Sequence, residues 1–477
     1  MHGVNTLARV PLWRRLARMR VRVRVRVGIL FATTALMLTA GGCASIDPYN
    51  IIGRRMPFAP VDQSANANAN ANATTPALRA AAIEAVWATV NDHYYRADLN
   101  GVDWRAVRSQ WQPLALAAPT EDEFWERLDQ MAGELSDVHT RVESPKAVAQ
   151  RNEQQVLSLG LTIRALDGAL LVLSVHPESD AYWSGVRTGM RLTRIDGKDA
   201  PVQWHAWALA ARKTSSAQAA LRMPMRRLNV VAAEAIRDSA SAAFGLSFAR
   251  PDGSEFDVRL RPKTLSTRPI ITSRILPSGV GYVRFTSFQE SLRGGVLAAI
   301  DAMKDTPALV LDLRGNGGGS GAMAEAIVGS FMRTKTVIGR TETRSGKPVT
   351  LAFGAIKITS LEASVPGKPD AYAGKLAVLI DADSASASEA TAAALQSTGR
   401  AVVVGEVSCG CLLGFLGYAT LPGGGELAFS EIGFTTAKGE RIEGRGVIPD
   451  VAVARSRADF VEQRDRALEA AQAALSK

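Results

Sequence analysis

Leu376-Ala377-Val378-Leu379-Ile380-Asp381-Ala382-Asp383-Ser384-Ala385-Ser386-Ala387-Ser388-Glu389 passes from an apolar run, through a turn of small residues, into a segment with helical spacing. An apolar run this short, followed by such a turn, is the pattern of a buried strand feeding a helix. Small residues permit a tight turn, and a serine placed there can present its hydroxyl above the sheet. The same residues also read as a helix cap, because Ser384, Ser386 and Ser388 are all good N-cap residues and Glu389 falls in the first turn.

Outward from this stretch the alternation continues. Apolar strands are expected at 281–285, 308–313 and 401–404, with helical spacing at 294–303, 322–331 and 388–397. Strand–helix alternation argues for an α/β layered core with largely parallel pairing. One strand-to-helix crossing carries Arg314-Gly315-Asn316-Gly317-Gly318-Gly319. Glycines there let backbone N–H groups approach an anion. Neither the Walker A nor the dinucleotide spacing is present, and the same physics serves an oxyanion hole.

The N-terminal half reads differently. Ala81, Ala82, Ala85, Val86, Thr89 and Val90 recur at helical spacing, and residues 77–150 are expected to form a small helical domain ending near Asp137-Val138-His139-Thr140. From about 153 to 263 short strands take over, beginning with Leu159-Gly160-Leu161-Thr162-Ile163. That run resembles the start of a PDZ domain, in which a Gly-containing loop offers N–H groups to a peptide carboxylate and the peptide pairs with the adjacent sheet edge. Leu159, Gly160 and Leu161 are then the peptide-binding candidates. Residues 204–243 exceed what such a domain needs and find no place in it.

The formal net charge of +10 does not signal nucleic acid. Eight arginines and no acidic residue lie in the first 42 positions, which leaves 48 basic against 46 acidic residues for the remainder. A nearly neutral body has no footprint for a phosphate backbone. The arginine-rich start, the apolar run 27–38 and Thr39-Ala40-Gly41-Gly42-Cys43 describe an export signal. The small residues before Cys43 resemble a lipobox, which implies lipidation at Cys43 and a periplasm-facing, membrane-anchored protein of the bacterial envelope. The Asn/Ala repeat within 44–76 is expected to act as a flexible tether. With Cys43, Cys409 and Cys411 as the only cysteines, the chain is no disulfide scaffold, and no metal site or cofactor is expected.

In order, Leu311-Asp-Leu-Arg-Gly-Asn-Gly-Gly-Gly319, Ser384-Ala-Ser-Ala-Ser-Glu389, Gly399-Arg-Ala-Val-Val-Val-Gly-Glu406 and Glu443-Gly-Arg-Gly-Val-Ile-Pro-Asp450 resemble one peptidase family. Its members are the C-terminal processing peptidases, the tricorn protease core and the interphotoreceptor retinoid-binding protein repeats. The resemblance implies a multi-domain α/β protein: a helical N-terminal domain, a PDZ-like β domain and a Clp protease/crotonase-like ββα catalytic core over 270–455; beyond the resemblance, a C-terminal helix is expected over 456–477. It also implies Ser386 as nucleophile, with an oxyanion hole from the N–H of Ala387 and of Gly318 or Gly319. A serine hydroxyl needs a neighbouring base. The processing peptidases carry a lysine 25 residues after the serine, but here that count reaches Cys411, and no lysine lies between Lys375 and Lys438. The tricorn-like branch instead uses a histidine and a late glutamate, which match His139 and Glu443. Val138 stands where that branch can carry an auxiliary serine.

Each assignment has a plainer counterpart. His139 could end or cap a helix, and Glu443 could pair with Arg441 or Arg445 at the surface. Cys409 and Cys411 could close a local disulfide, sit as small buried residues, or form a thiol pair. The functional expectation is an exported serine endopeptidase acting on peptide bonds. The alternative is an inactive peptide-binding scaffold of the envelope, and the retinoid-binding relatives add a remoter one, a small-ligand binder.

Overall fold

In the computed structural model, residues 47, 51–55, 74–236 and 243–476 are described. Cys43 and most of the expected signal and tether lie outside them. Three helices open the body: Pro76–His93, Trp104–Leu116 and Glu121–Gly133. The Thr75 hydroxyl caps the first with Pro76 at its start, Asp103 caps the second, and Thr120 caps the third ahead of Glu121, Asp122 and Glu123. Val86, Phe124, Leu128 and Met131 are fully buried between them. The same core also takes Leu413, Leu427 and Phe429 from late in the chain. Strand Arg141–Glu143 explains this, since it pairs antiparallel with Glu426–Ala428. The helical segment is therefore sewn to the C-terminal part by a short sheet, which the helical expectation for 77–150 did not contain.

Next comes an antiparallel sheet of Leu161–Leu166, Ala169–Val175, Arg191–Ile195, Phe244–Ala249 and Glu255–Leu260, in that order, with Lys198–Asp199 at its side. The stretch that had no place in the sequence reading is helical: Ala200–Ala210, Ala217–Ala220 and Met223–Ala235. Trp204, Leu228 and Ala232 from these helices join Ile163, Val172, Leu192 and Phe248 in one core.

The C-terminal core is a six-stranded sheet ordered Ile271–Ile275, Gly281–Phe285, Ala308–Asp312, Lys375–Ile380, Val402–Gly405, Val451–Ala452. Only the first pair is antiparallel; every later pair is parallel. Side chains alternate across it. Leu309, Leu311, Val378, Ile380 and Val403 face helices Arg293–Asp301, Gly321–Gly329 and Ala387–Ser397, while Val310, Ala377, Leu379 and Val404 face Ala467, Ala471 and Leu475. A parallel sheet needs cover on both faces. The C-terminal helix Arg466–Ser476 supplies the second cover. A separate antiparallel sheet, Glu362–Val365, Thr336–Glu342, Ile432–Thr436 and Leu413–Gly414, completes the fold.

Candidate active site

Strand Lys375–Ile380 delivers the chain to the serine turn, and the two outer serines are consumed by structure. Ser384 Oγ donates to the Leu313 carbonyl at 2.9 Å, and Ser388 Oγ donates to the Asn316 carbonyl at 2.8 Å. Both serines are fully buried. Ser386 remains partly exposed, at the N-terminus of helix Ala387–Ser397, with φ 55° and ψ −116°. That backbone is costly for a non-glycine residue and is found where the surroundings impose it, as in strained turns that lift a nucleophile out of a sheet.

The surroundings here are the glycine loop. Asn316 binds it internally, its Nδ2 donating to the Phe285 carbonyl and its Oδ1 accepting the Gly318 N–H, each at 2.9 Å. The Asn316 carbonyl accepts the Ala385 N–H at 3.1 Å. A Cβ at position 318 would lie 2.5 Å from the Ala385 carbonyl oxygen and 2.8 Å from Ser386 Cβ, so only glycine fits this approach. Gly318 was one of the expected oxyanion donors, and its N–H is already engaged. Among the described residues, the Gly319 and Ala387 N–H groups donate no hydrogen bond.

Position 411 does sit beside the serine. The Cys411 carbonyl accepts the Ser386 N–H at 3.1 Å, and a disulfide joins Cys411 to Cys409, both buried. The buried Glu389 carboxylate ties this turn together. It accepts Ser386 N–H at 3.0 Å, Cys411 N–H at 2.9 Å, Gly410 N–H at 2.7 Å and the Ser408 hydroxyl at 2.6 Å. Burial raises its pKa, opposed by those four donors.

Glu443 faces this turn, accepting the Leu412 N–H at 2.6 Å. It is not a surface ion pair: Arg441 turns to Glu342 and Arg445 to Glu440. Burial first, then the charge of Asp137, pushes the Glu443 carboxyl up to about 8.

His139 is buried, and its ring caps no helix. Nδ1 has no hydrogen-bond partner and lies 4.0 Å from Asp137 Oδ1. Asp137 is itself fixed by the His139 N–H at 2.8 Å and by the hydroxyls of Thr140 and Ser430, each at 2.6 Å. Burial pushes the His139 imidazole down to about 4, with Asp137 acting against it and Arg141 with it. Val138, next in the chain, packs on Ala219, Ala385, Cys409 and Cys411, which brings this segment to the serine turn. No hydrogen bond joins the His139 ring to Ser386 or Glu443 among the described residues. Catalytic contacts often tighten only with substrate bound.

Three contributors were not visible in the sequence. Ser215, from the helical insertion, accepts the Val138 N–H at 3.2 Å, and its hydroxyl works against the rise in the Glu443 pKa. Arg222, also from the insertion, pairs with Asp383 at 2.9 Å, and Arg164 of the sheet's edge strand pairs with the same carboxylate. Asp383 begins the serine turn, but its partners lie far off in sequence, so nothing local announces them. At the peptide-binding candidates, the Leu159 N–H donates to Asn229 Oδ1 and the Gly160 N–H to Ser158 Oγ, each at 3.0 Å. Leu161 begins the edge strand Leu161–Leu166. A carboxylate has to displace Asn229 to reach Leu159.

Residues 279–453 match Peptidase family S41, and residues 77–133 match the Tricorn protease C1 domain. A tricorn protease homolog of Streptomyces coelicolor is 25% identical over 400 residues, 79% of this chain but 30% of that protein. The carboxyl-terminal-processing protease of Picosynechococcus is 25% identical over 377 residues, 77% of this chain and 81% of that one. The chain thus spans under a third of the first relative and most of the second. Among solved structures, mature CPAF complexed with lactacystin superposes over 84% of this chain and 98% of that chain, with TM-score 0.61 and 14% identity. That likeness is one of fold. Residues 279–453, with Ser386 and Glu443 inside them, thus match the core of a serine-type peptidase of family S41, and the tricorn-type segment lies in front of it.

Proposed function

We propose that this chain is an exported endopeptidase that cleaves peptide bonds through an acyl-enzyme on Ser386. The observation carrying this reading is that Ser386, unlike Ser384 and Ser388, donates its hydroxyl to no buried carbonyl: it stays partly exposed on a strained turn, its oxygen in a capping box with Glu389, beside the unengaged N–H of Ala387 and with that of Gly319 on the adjoining glycine loop. Those donors suit the oxyanion that develops on the scissile carbonyl. His139 is uncharged at neutral pH, the form able to accept the Ser386 proton. Asp137 faces the ring and favours the imidazolium that results, while Glu443 supports the site beside Cys411. The proton then passes from His139 to the leaving amine, and water repeats the cycle on the ester. The PDZ-like sheet engages the substrate peptide at its edge strand.

Export is read from the leader and the cysteine at position 43, with the body held to the envelope by a lipid there. A buried disulfide agrees, because disulfides persist in oxidising compartments. The test is hydrolysis of an unstructured protein by the mature chain. Wild type is expected to cleave, and Ser386→Ala and His139→Ala to fall to background. Equal cleavage by Ser386→Ala refutes the reading, and a folded wild type without activity favours the non-catalytic scaffold. Radiolabelled palmitate incorporation lost in Cys43→Ser supports the anchor; unchanged incorporation rules out Cys43.

A further inference from the structure

Helix Met223–Ala235 packs beside the edge strand Leu161–Leu166, its Leu228 and Ala232 sharing a core with Leu161 and Ile163. The strand's outer edge pairs with no other described strand, so helix and strand flank a track for an extended peptide. Named contacts mark both ends of this track. At one end the Asn229 side chain accepts the Leu159 N–H at 3.0 Å and the Ser158 hydroxyl at 3.3 Å. At the other, Arg222 pairs with Asp383 at 2.9 Å and donates to the Ala382 carbonyl at 3.1 Å, and Arg164 of the strand pairs with the same Asp383. The track therefore runs from the candidate carboxylate loop to the turn that carries Ser386.

Between these two anchors the helix presents Arg226. Its N–H donates to the Arg222 carbonyl at 3.2 Å, which sets it one turn beyond Arg222, and Asn229 follows three residues later. Arg222, Arg226 and Asn229 thus fall within about 60° of one another around the helix, turned away from the buried Pro224, Leu228 and Ala232. Arg226 is exposed, and among the described residues its guanidinium donates no hydrogen bond and forms no ion pair. The arginines near it are all committed. Arg222 has Asp383, Arg212 has Asp129 at 2.7 Å, and Arg141 has Glu143 at 3.0 Å and the Tyr418 hydroxyl at 2.9 Å. Surrounding protein displaces bulk water and lowers the Arg226 pKa; Asp129 works against this, and Arg141, Arg222 and Arg212 add to it. An exposed guanidinium crowded in this way lines a recess, where it attracts an anion more strongly than on an open surface.

We propose that Arg226 is a specificity-determining residue that binds the carboxylate of an acidic side chain near the carboxyl end of the substrate peptide. This rests on the reading that the edge strand engages the substrate. A guanidinium is a planar fork that matches a carboxylate. Arg226 stands about 4.5 Å along the helix from Asn229. A peptide whose terminal carboxylate takes the Leu159 loop therefore brings a side chain from just before its end to Arg226.

The test measures binding by fluorescence anisotropy to the Ser386→Ala chain, so that turnover plays no part. The probes are fluorescein-labelled peptides with one glutamate stepped through the positions before the carboxyl end. Each is matched by a glutamine, a lysine and a C-terminally amidated form. One glutamate peptide is expected to bind about fivefold tighter than its glutamine twin, with the preference shrinking as salt rises. Adding Arg226→Ala should abolish that preference, and Arg226→Glu should turn it toward the lysine peptide. No glutamate preference at any position, or one that survives Arg226→Ala, overturns the proposal. So does a loss in Arg226→Ala confined to the acid-over-amide difference, which assigns Arg226 to the terminal carboxylate. Failure of every peptide to bind overturns the edge-strand reading, and this proposal with it.

Discussion

Ser384, Ser386 and Ser388 have the same chemistry and differ in what their oxygens meet. Replacing Ser384 with alanine removes a buried hydrogen bond to Leu313 and should cost about 1 kcal/mol in urea unfolding while leaving peptidase activity. Ser386→Ala should do the reverse, and equal behaviour of the two variants would remove the distinction. His139 shows its environment through pH. Its folded pKa lies below its unfolded one, so the unfolded chain binds more protons between about 6.5 and 4, and stability falls as pH drops through that window. Glu443 has the opposite sign: the folded form holds its proton up to about 8, so its contribution is present at low pH and is lost as pH rises from the ordinary carboxyl range through 8. His139→Gln should therefore flatten the acid side of the stability–pH curve, read by urea unfolding at pH 4.5 and 7. An unchanged slope would contradict a buried neutral imidazole.

The elements of the site differ in how openly the sequence announces them. The strand-to-helix passage at Ser386 and the glycine loop are local patterns, and both have the form that their residues suggest. The helix Met223–Ala235 was invisible as a functional element. Its buried residues are few (Pro224, Leu228 and Ala232), and what they contact comes from distant strands. Ser215 and Asn229 are ordinary polar residues whose meaning arises only when that insertion folds back. Gly318 illustrates a finer limit: glycine at a close approach was expected, but the Asn316 side chain decides which N–H stays free. Asn229→Ala should free the Leu159 N–H and tighten binding of a labelled C-terminal peptide several-fold, read by fluorescence anisotropy. Unchanged affinity would separate Leu159 and Gly160 from peptide recognition.

Across the whole molecule, the candidate site depends on contacts between segments far apart in the sequence. His139 precedes a strand that pairs with Glu426–Ala428, and Leu427 is fully buried in the core of the N-terminal helices. Leu427→Ala should cost about 3 kcal/mol and lower peptidase activity together with stability, because it loosens the pairing that carries His139. Long-range pairing of this kind leaves no periodic trace in either segment, which is why the N-terminal region read as purely helical.

The proposed chemistry turns on Ser386 forming the covalent intermediate. Incubating the mature protein with a fluorophosphonate and mapping the adduct by peptide mass measures this directly. One adduct is expected, on Ser386, absent in Ser386→Ala and slow to form in His139→Ala; an intact, folded protein that takes no label, or takes it on another serine, refutes Ser386 as the nucleophile.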